Sequence, residues 1–178
     1  MYYPDWDDLY EAVRRALAGP ALSEAATELL LFAIARDNEA ELILGELDDH
    51  PEHGLALAEA AMRASESDAR WQLAVFLGRQ PGQRYQALLR RYLDDTDEYV
   101  RRCALIAAAA YDRDHAEQVA WSRLTDPHEY TRLAAFSVLR DVRSGRLGDA
   151  TVLLRDDPSE WVRAEVTKVE GSAQEGPG

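Results

Sequence analysis

Arginine recurs in this chain at a fixed interval. Arg70, Arg101, Arg132 and Arg163 lie 31 residues apart, and three of them carry an aspartate six places upstream: Asp95, Asp126 and Asp157. The surrounding segments repeat with them: DTDEYVR at 95–101, DPHEYTR at 126–132, DPSEWVR at 157–163, and a degenerate ASESDAR at 64–70. Carboxylates and guanidinium groups at matched positions can pair bidentately, and a carboxylate at a helix start can cap free N–H groups. Two places before three of these arginines stands an aromatic, Tyr99, Tyr130 or Trp161. Aromatics are favoured anchors of protein interfaces; their other use is to stack on one another between repeats.

Other residues with chemical potential read less sharply. Trp71, Arg90, Arg91, Arg101 and Arg102 form the one dense basic cluster, but Asp94, Asp95, Asp97 and Glu98 surround it, so a salt-bridged surface is expected. His50 and His53, with Asp48, Asp49 and Glu52, have the composition of a metal site. They lie in one turn without a distant third ligand, so a solvated acidic turn is the better reading and no metal or cofactor is expected. Cys103 is the only cysteine. It reads as a buried, inert thiol in a reducing compartment. No glycine-rich phosphate loop, nucleophile elbow or zinc frame is present, and no catalytic residue is assigned.

The elements that must position these residues are helices. The Asp-Pro pairs at 126–127 and 157–158 read as an N-cap followed by a first helical residue, and apolar residues then recur at helical spacing, as in Leu133, Phe136 and Leu139. Intervening helices are expected over 83–94, 114–125 and 147–155. Weaker helix pairs precede them, 22–36 with 38–48 and 52–64 with 67–79. An amphipathic helix over 6–18, ended by Gly19-Pro20, has the acidic outer face of a solenoid cap. A flexible tail is expected over 171–178.

Composition narrows the function. Hydrophobic residues at 47% and charged residues at 30% describe a folded, soluble chain, and its formal charge is −13. Residues 1–60 hold 14 acidic and 3 basic side chains, a net of −11, whereas residues 61–178 hold 19 and 17, a net of −2. Attraction to nucleic acid or to an anionic membrane is disfavoured; the acidic end reads either as a solvated face that keeps the chain soluble, which charge alone favours, or as a face for a basic protein partner. The N-terminal residues Met-Tyr-Tyr-Pro-Asp-Trp-Asp-Asp lack the basic and apolar regions of a secretory signal, so a cytoplasmic location is expected.

The three Asp-x5-Arg frames, each followed by an Ala/Leu-rich helix, resemble the HEAT-repeat family, including the short repeats of phycobilisome-lyase type. The resemblance is clear over 82–170 and plausible over 21–81. It implies a right-handed all-α solenoid of about five helix pairs (21–50, 51–81, 82–112, 113–144, 145–170) behind a capping helix at 1–20. It also implies that each Asp lies in the turn within a repeat, that each Arg lies in the second helix, and that the two pair into a structural ladder. With Ala64 in the aspartate position, the ladder should weaken at Arg70. Second helices would line a concave face, making Trp71, Tyr99, Arg102, Tyr130 and Trp161 candidate partner contacts, with Asp7, Asp8, Glu46 and Asp48 as the acidic ones. The expected function is a monomeric, non-catalytic binding solenoid, an adaptor or an immunity-like inhibitor. The alternatives are a HEAT-like DNA-alkylation-repair glycosylase and a chromophore-lyase-like subunit.

Overall fold

The computed structural model describes residues 6–37, 39–63 and 67–174. Ala64 and the end of the expected tail, 175–178, lie outside the described residues. Among the described residues there are eleven helices and no strand, as in an α-solenoid. None of the helices is long and apolar enough to cross a membrane. The chain divides into two compact units, residues 1–107 and 108–178.

Unit 1 contains α1 Trp6–Leu17, α2 Glu24–Arg36, α3 Leu42–Asp48, α4 Pro51–Ala61, α5 Ser67–Arg79, α6 Gln83–Tyr92 and α7 Glu98–Ala108, whose last residue crosses the boundary. Leu9, Val13 and Leu17 form the buried stripe of α1 at four-residue steps. Ser23 caps α2 by accepting the Ala26 N–H at 3.2 Å. The segment between α2 and α3 is organised by one buried carboxylate. Asp37 accepts the Tyr10 hydroxyl at 2.8 Å and the Ile43 N–H at 2.8 Å. Its capping of Ile43, together with the left-handed backbone at Glu41 (φ 51°), starts α3 at Leu42 rather than at 38.

α2 packs along α5, and Gln72 Nε2 donates to the Ile34 carbonyl at 2.5 Å. That places α2 in the row of second helices. Besides α3, the helix expected to pair with it, α2 also packs on α1 and α4. Close approaches require two glycines. A Cβ on Gly54 would lie 2.2–2.9 Å from the Phe76 ring, and one on Gly78 would lie 2.6 Å from Ala107 Cβ. The Tyr92 hydroxyl, on α6, is buried and donates to the Ala58 carbonyl of α4 at 2.7 Å.

Unit 2 contains α8 Arg113–Arg123, α9 Glu129–Asp141, α10 Leu147–Leu154 and α11 Glu160–Gln174. α9 packs against α8 and α11. Phe136 and Leu139 of α9 are fully buried, while Arg113 Nη2 closes the α9 C-terminus by donating to the Val142 carbonyl at 2.7 Å. α11 runs through 171–174, residues expected in the tail, because its helix hydrogen-bonding continues past Gly171.

The repeating Asp and Arg occupy equivalent places in both units. Each Asp lies three residues before its helix start and folds an Asx turn: Asp95, Asp126 and Asp157 accept the N–H two residues on at 2.8, 2.9 and 2.8 Å. They are therefore not N-caps, and Pro127 and Pro158 precede the helices. In the first copy the capping is done by Asp97, whose Oδ1 accepts the Tyr99 and Val100 N–H groups at 2.9 and 3.2 Å. Arg101, Arg132 and Arg163 reach back with Nη1 to the carbonyl six residues earlier, at 2.7, 2.8 and 2.5 Å.

The other edge of the guanidinium reaches forward. In unit 1, Arg70 donates to Asp95 through Nε at 2.9 Å and Nη2 at 3.2 Å; in unit 2, Arg132 donates to Asp157 through the same atoms at 2.7 and 2.7 Å. All four side chains are buried. The weakening expected at Arg70 does not occur, because its partner is the aspartate of the following repeat and not position 64.

Burial by itself would raise the Asp157 carboxyl, but the Arg132 hydrogen bonds, the Ser159 N–H and the charges of Arg132 and Arg163 outweigh it and hold the group below the usual aspartate range. A depressed folded value contributes stability above the unfolded pKa of about 4, and that contribution is lost as pH falls through the folded value. Urea melts of Asp157→Ala are expected to show a loss of about 3–5 kcal/mol at pH 7, since one partner of a buried pair is removed. The loss should shrink below pH ~4. Gly54→Ala is expected to cost about 1–3 kcal/mol in the same assay through overpacking against Phe76.

Candidate protein-binding surface

The first turn of α7 presents Tyr99, whose position is fixed by the Asp97 cap beneath it. Its ring meets that of Trp71, on α5, edge-on with centroids 5.4 Å apart and an interplanar angle of 71°. Arg102, one turn along α7, lays its guanidinium over the Tyr99 ring at 4.7 Å and pairs with Glu98 at 3.6 Å. Tyr99 nonetheless remains 43% exposed. Unit 1 thus brings together three of the residues expected to contact a partner: Trp71, Tyr99 and Arg102. Tyr99 meets Trp71 and Arg102, neither of which is one of the aromatics that repeat at 31 residues.

Cys103 lies beside Tyr99, half-buried; burial pushes its thiol up, and the Arg102 charge only partly offsets this. Arg101 is engaged with the Asp95 and Thr96 carbonyls and belongs to the turn, not to the surface cluster.

In unit 2, Tyr130 packs against His128 with centroids 5.9 Å apart and is exposed; Trp161, at 57% exposure, is the most open large aromatic among the described residues. The polar residues below them are largely engaged with one another. Arg140 pairs with Asp141 at 2.9 Å and with Glu165, and Lys168 pairs with Glu165 at 3.0 Å.

The acidic candidates separate into different roles. Asp7 and Asp8 are exposed on the first turn of α1. Glu46 faces Arg14 at 3.8 Å. Asp48 is a structural acceptor, taking Gln80 Nε2 at 2.8 Å and standing 3.5 Å from Arg79 Nη1. His50 and His53 lie 5.8 Å apart, and among the described residues no cluster of three His, Cys, Asp or Glu forms around them.

Sequence reasoning missed Phe32, exposed on α2 with the Arg36 guanidinium 3.5 Å above its ring. The signal was available: Glu24, Glu28, Phe32 and Arg36 follow at four-residue steps along an exposed stripe, where a phenylalanine is out of place. It also missed the joint role of Tyr10 and Asp37, which are 27 residues apart and carry no local signal.

A family model for HEAT repeats matches residues 54–140, from α4 through α9. No curated protein matches the chain.

The packing around Cys103 gives a direct check on the cluster. Its alkylation by iodoacetamide at pH 7.5 is expected to be slower than that of a free cysteine, and Tyr99→Ala to accelerate it several-fold by uncovering the sulfur. An unchanged rate would show that Tyr99 does not shield the thiol.

Proposed function

The chain is a HEAT-repeat protein, and from that premise we propose that it is an adaptor or inhibitor that binds another protein through Trp71, Tyr99 and Arg102 of unit 1. HEAT repeats generally mediate protein interactions. What supports the location is the geometry of Tyr99: an exposed ring already contacted by the Trp71 ring and the Arg102 guanidinium. An aromatic packed in place before binding loses little rotamer entropy on association, and Trp, Tyr and Arg are the side chains that dominate interface energetics. Phe32 with Arg36 repeats this aromatic–guanidinium chemistry on α2, and Tyr130 and Trp161 supply exposed aromatics in unit 2.

Of the acidic residues, Asp48 accepts Gln80 within the fold; the exposed Asp7 and Asp8, with the half-exposed Glu46, contribute to association with a basic partner. Rim charges of this kind act more on association rate and salt dependence than on affinity.

A photoreactive phenylalanine analogue at position 99 is expected to crosslink a protein partner, and the same group at position 91 on α6 is not. With the partner in hand, Trp71→Ala/Tyr99→Ala should weaken binding by about 2 kcal/mol, roughly 30-fold, while Arg91→Ala leaves it intact. A partner bound equally well by the double variant would overturn the reading.

A further inference from the structure

Unit 1 holds a cleft of about 440 Å³ between α1 and α3. Its floor is Val13, buried in the α1 stripe, together with Leu42, a leucine left 54% exposed. The Tyr10 ring forms a wall, and Arg14, Glu46 and Asp49 stand at the rim. Gly45 opens the α3 side: a Cβ there meets nothing within 4 Å.

We propose that this cleft receives an arginine or lysine side chain presented by the protein partner. The proposal rests on the reading of the chain as a protein binder, but it uses a different surface from Trp71, Tyr99 and Arg102.

Three observations support it. First, the lining is amphipathic in the way such a side chain is. A methylene stem would cover Leu42 and Tyr10, burying apolar surface, while the cationic head reached Glu46 and Asp49 at the rim. The Tyr10 ring, on which Trp6 stacks with centroids 5.7 Å apart, is an aromatic surface over which a guanidinium can lie.

Second, the cleft is built before any ligand arrives. The Tyr10 hydroxyl and the Ile43 N–H are both fixed on the buried Asp37 carboxylate, which locks α1 against the start of α3. The resident cation is poorly held: Arg14 stands 3.8 Å from Glu46, beyond hydrogen-bond reach, with both side chains more than a third exposed. An incoming head group that contacts Glu46 and Asp49 together can displace it.

Third, the surroundings attract cations. Residues 1–60 carry a net of −11, and charge of one sign around a cleft concentrates ligands of the other.

The test uses the full chain and a labelled, end-capped hexa-arginine peptide, with fluorescence anisotropy at low and physiological salt. Gly45→Leu fills the cleft without altering charge, and Glu46→Gln/Asp49→Asn removes two rim charges. Glu24→Gln/Glu28→Gln removes two charges from the exposed stripe of α2 and serves as the control. Binding should weaken at least tenfold in the first two variants and less than twofold in the control. Equal weakening by the control and the rim pair would mean a diffuse acidic surface and overturn the proposal. So would failure of the wild-type chain to bind the peptide at low salt, or binding that survives Gly45→Leu in a folded protein. If Gly45→Leu perturbs the fold, the comparison of the rim and control pairs still decides the matter. Because Trp71→Ala/Tyr99→Ala is read on the natural partner and these variants on the peptide, failure of one reading leaves the other standing.

Discussion

A buried guanidinium has five N–H donors and cannot shed its charge, so a fold that encloses one must find acceptors on every side. Arg132 shows how this chain does so. One nitrogen closes the turn in front of its own helix through the Asp126 and Pro127 carbonyls, and the opposite edge grips both oxygens of Asp157. Asp157 in turn holds the Ser159 N–H, so the same network that joins two repeats shapes the turn entering the next helix. Arg70 and Asp95 do the same in unit 1. An ion pair at such burial contributes little net free energy. What it supplies is registration, because only one placement of successive second helices satisfies all of these atoms together.

Within each unit, side-chain size decides what each helix turns inward. Phe76 and Phe136 fill the core; Gly54 exists because the Phe76 ring lies where any side chain would be, and Gly78 because α7 passes close by. Some positions of these helices stay exposed. There the aromatic two places before the repeating arginine can be supported from the side and still remain open, as Tyr99 is by Trp71 and Arg102. Fold and candidate surface therefore share one helix: the turn that orients Arg101 also orients Tyr99.

The N-terminal region follows different rules. Its acidic side chains are not one uniform solvated coat. Asp37 is buried and joins α1, α2 and α3; Asp48 receives the end of α5; Glu46 and Asp49 border a cleft; Asp7 and Asp8 lie in the open. The same residue type thus serves as a structural hub, a cap, a rim group and a surface charge, according to how many donors the fold brings to it.

The sequence by itself determined whatever is set by short range or by repetition. The 67–79 helix, the presence of a helix at each Asp-x5-Arg frame, and the 31-residue period could all be read because apolar spacing and turn residues act within a few positions of one another; the helix starts themselves, three residues after each Asp, could not. Tyr130 and Trp161, candidate partner contacts from their repeated position, are exposed. Tertiary structure alone decided which partners meet. Arg70 pairs with Asp95, 25 residues ahead, so the missing aspartate at 64 has no bearing on that rung. Tyr10 and Asp37, 27 residues apart, meet only because α1 packs on α2, and the same carboxylate accepts the Ile43 N–H at the start of α3. Local spacing specifies which atoms can cap or face inward; which carboxylate a given donor reaches depends on helices brought together by burial, and burial leaves no periodic trace in the sequence.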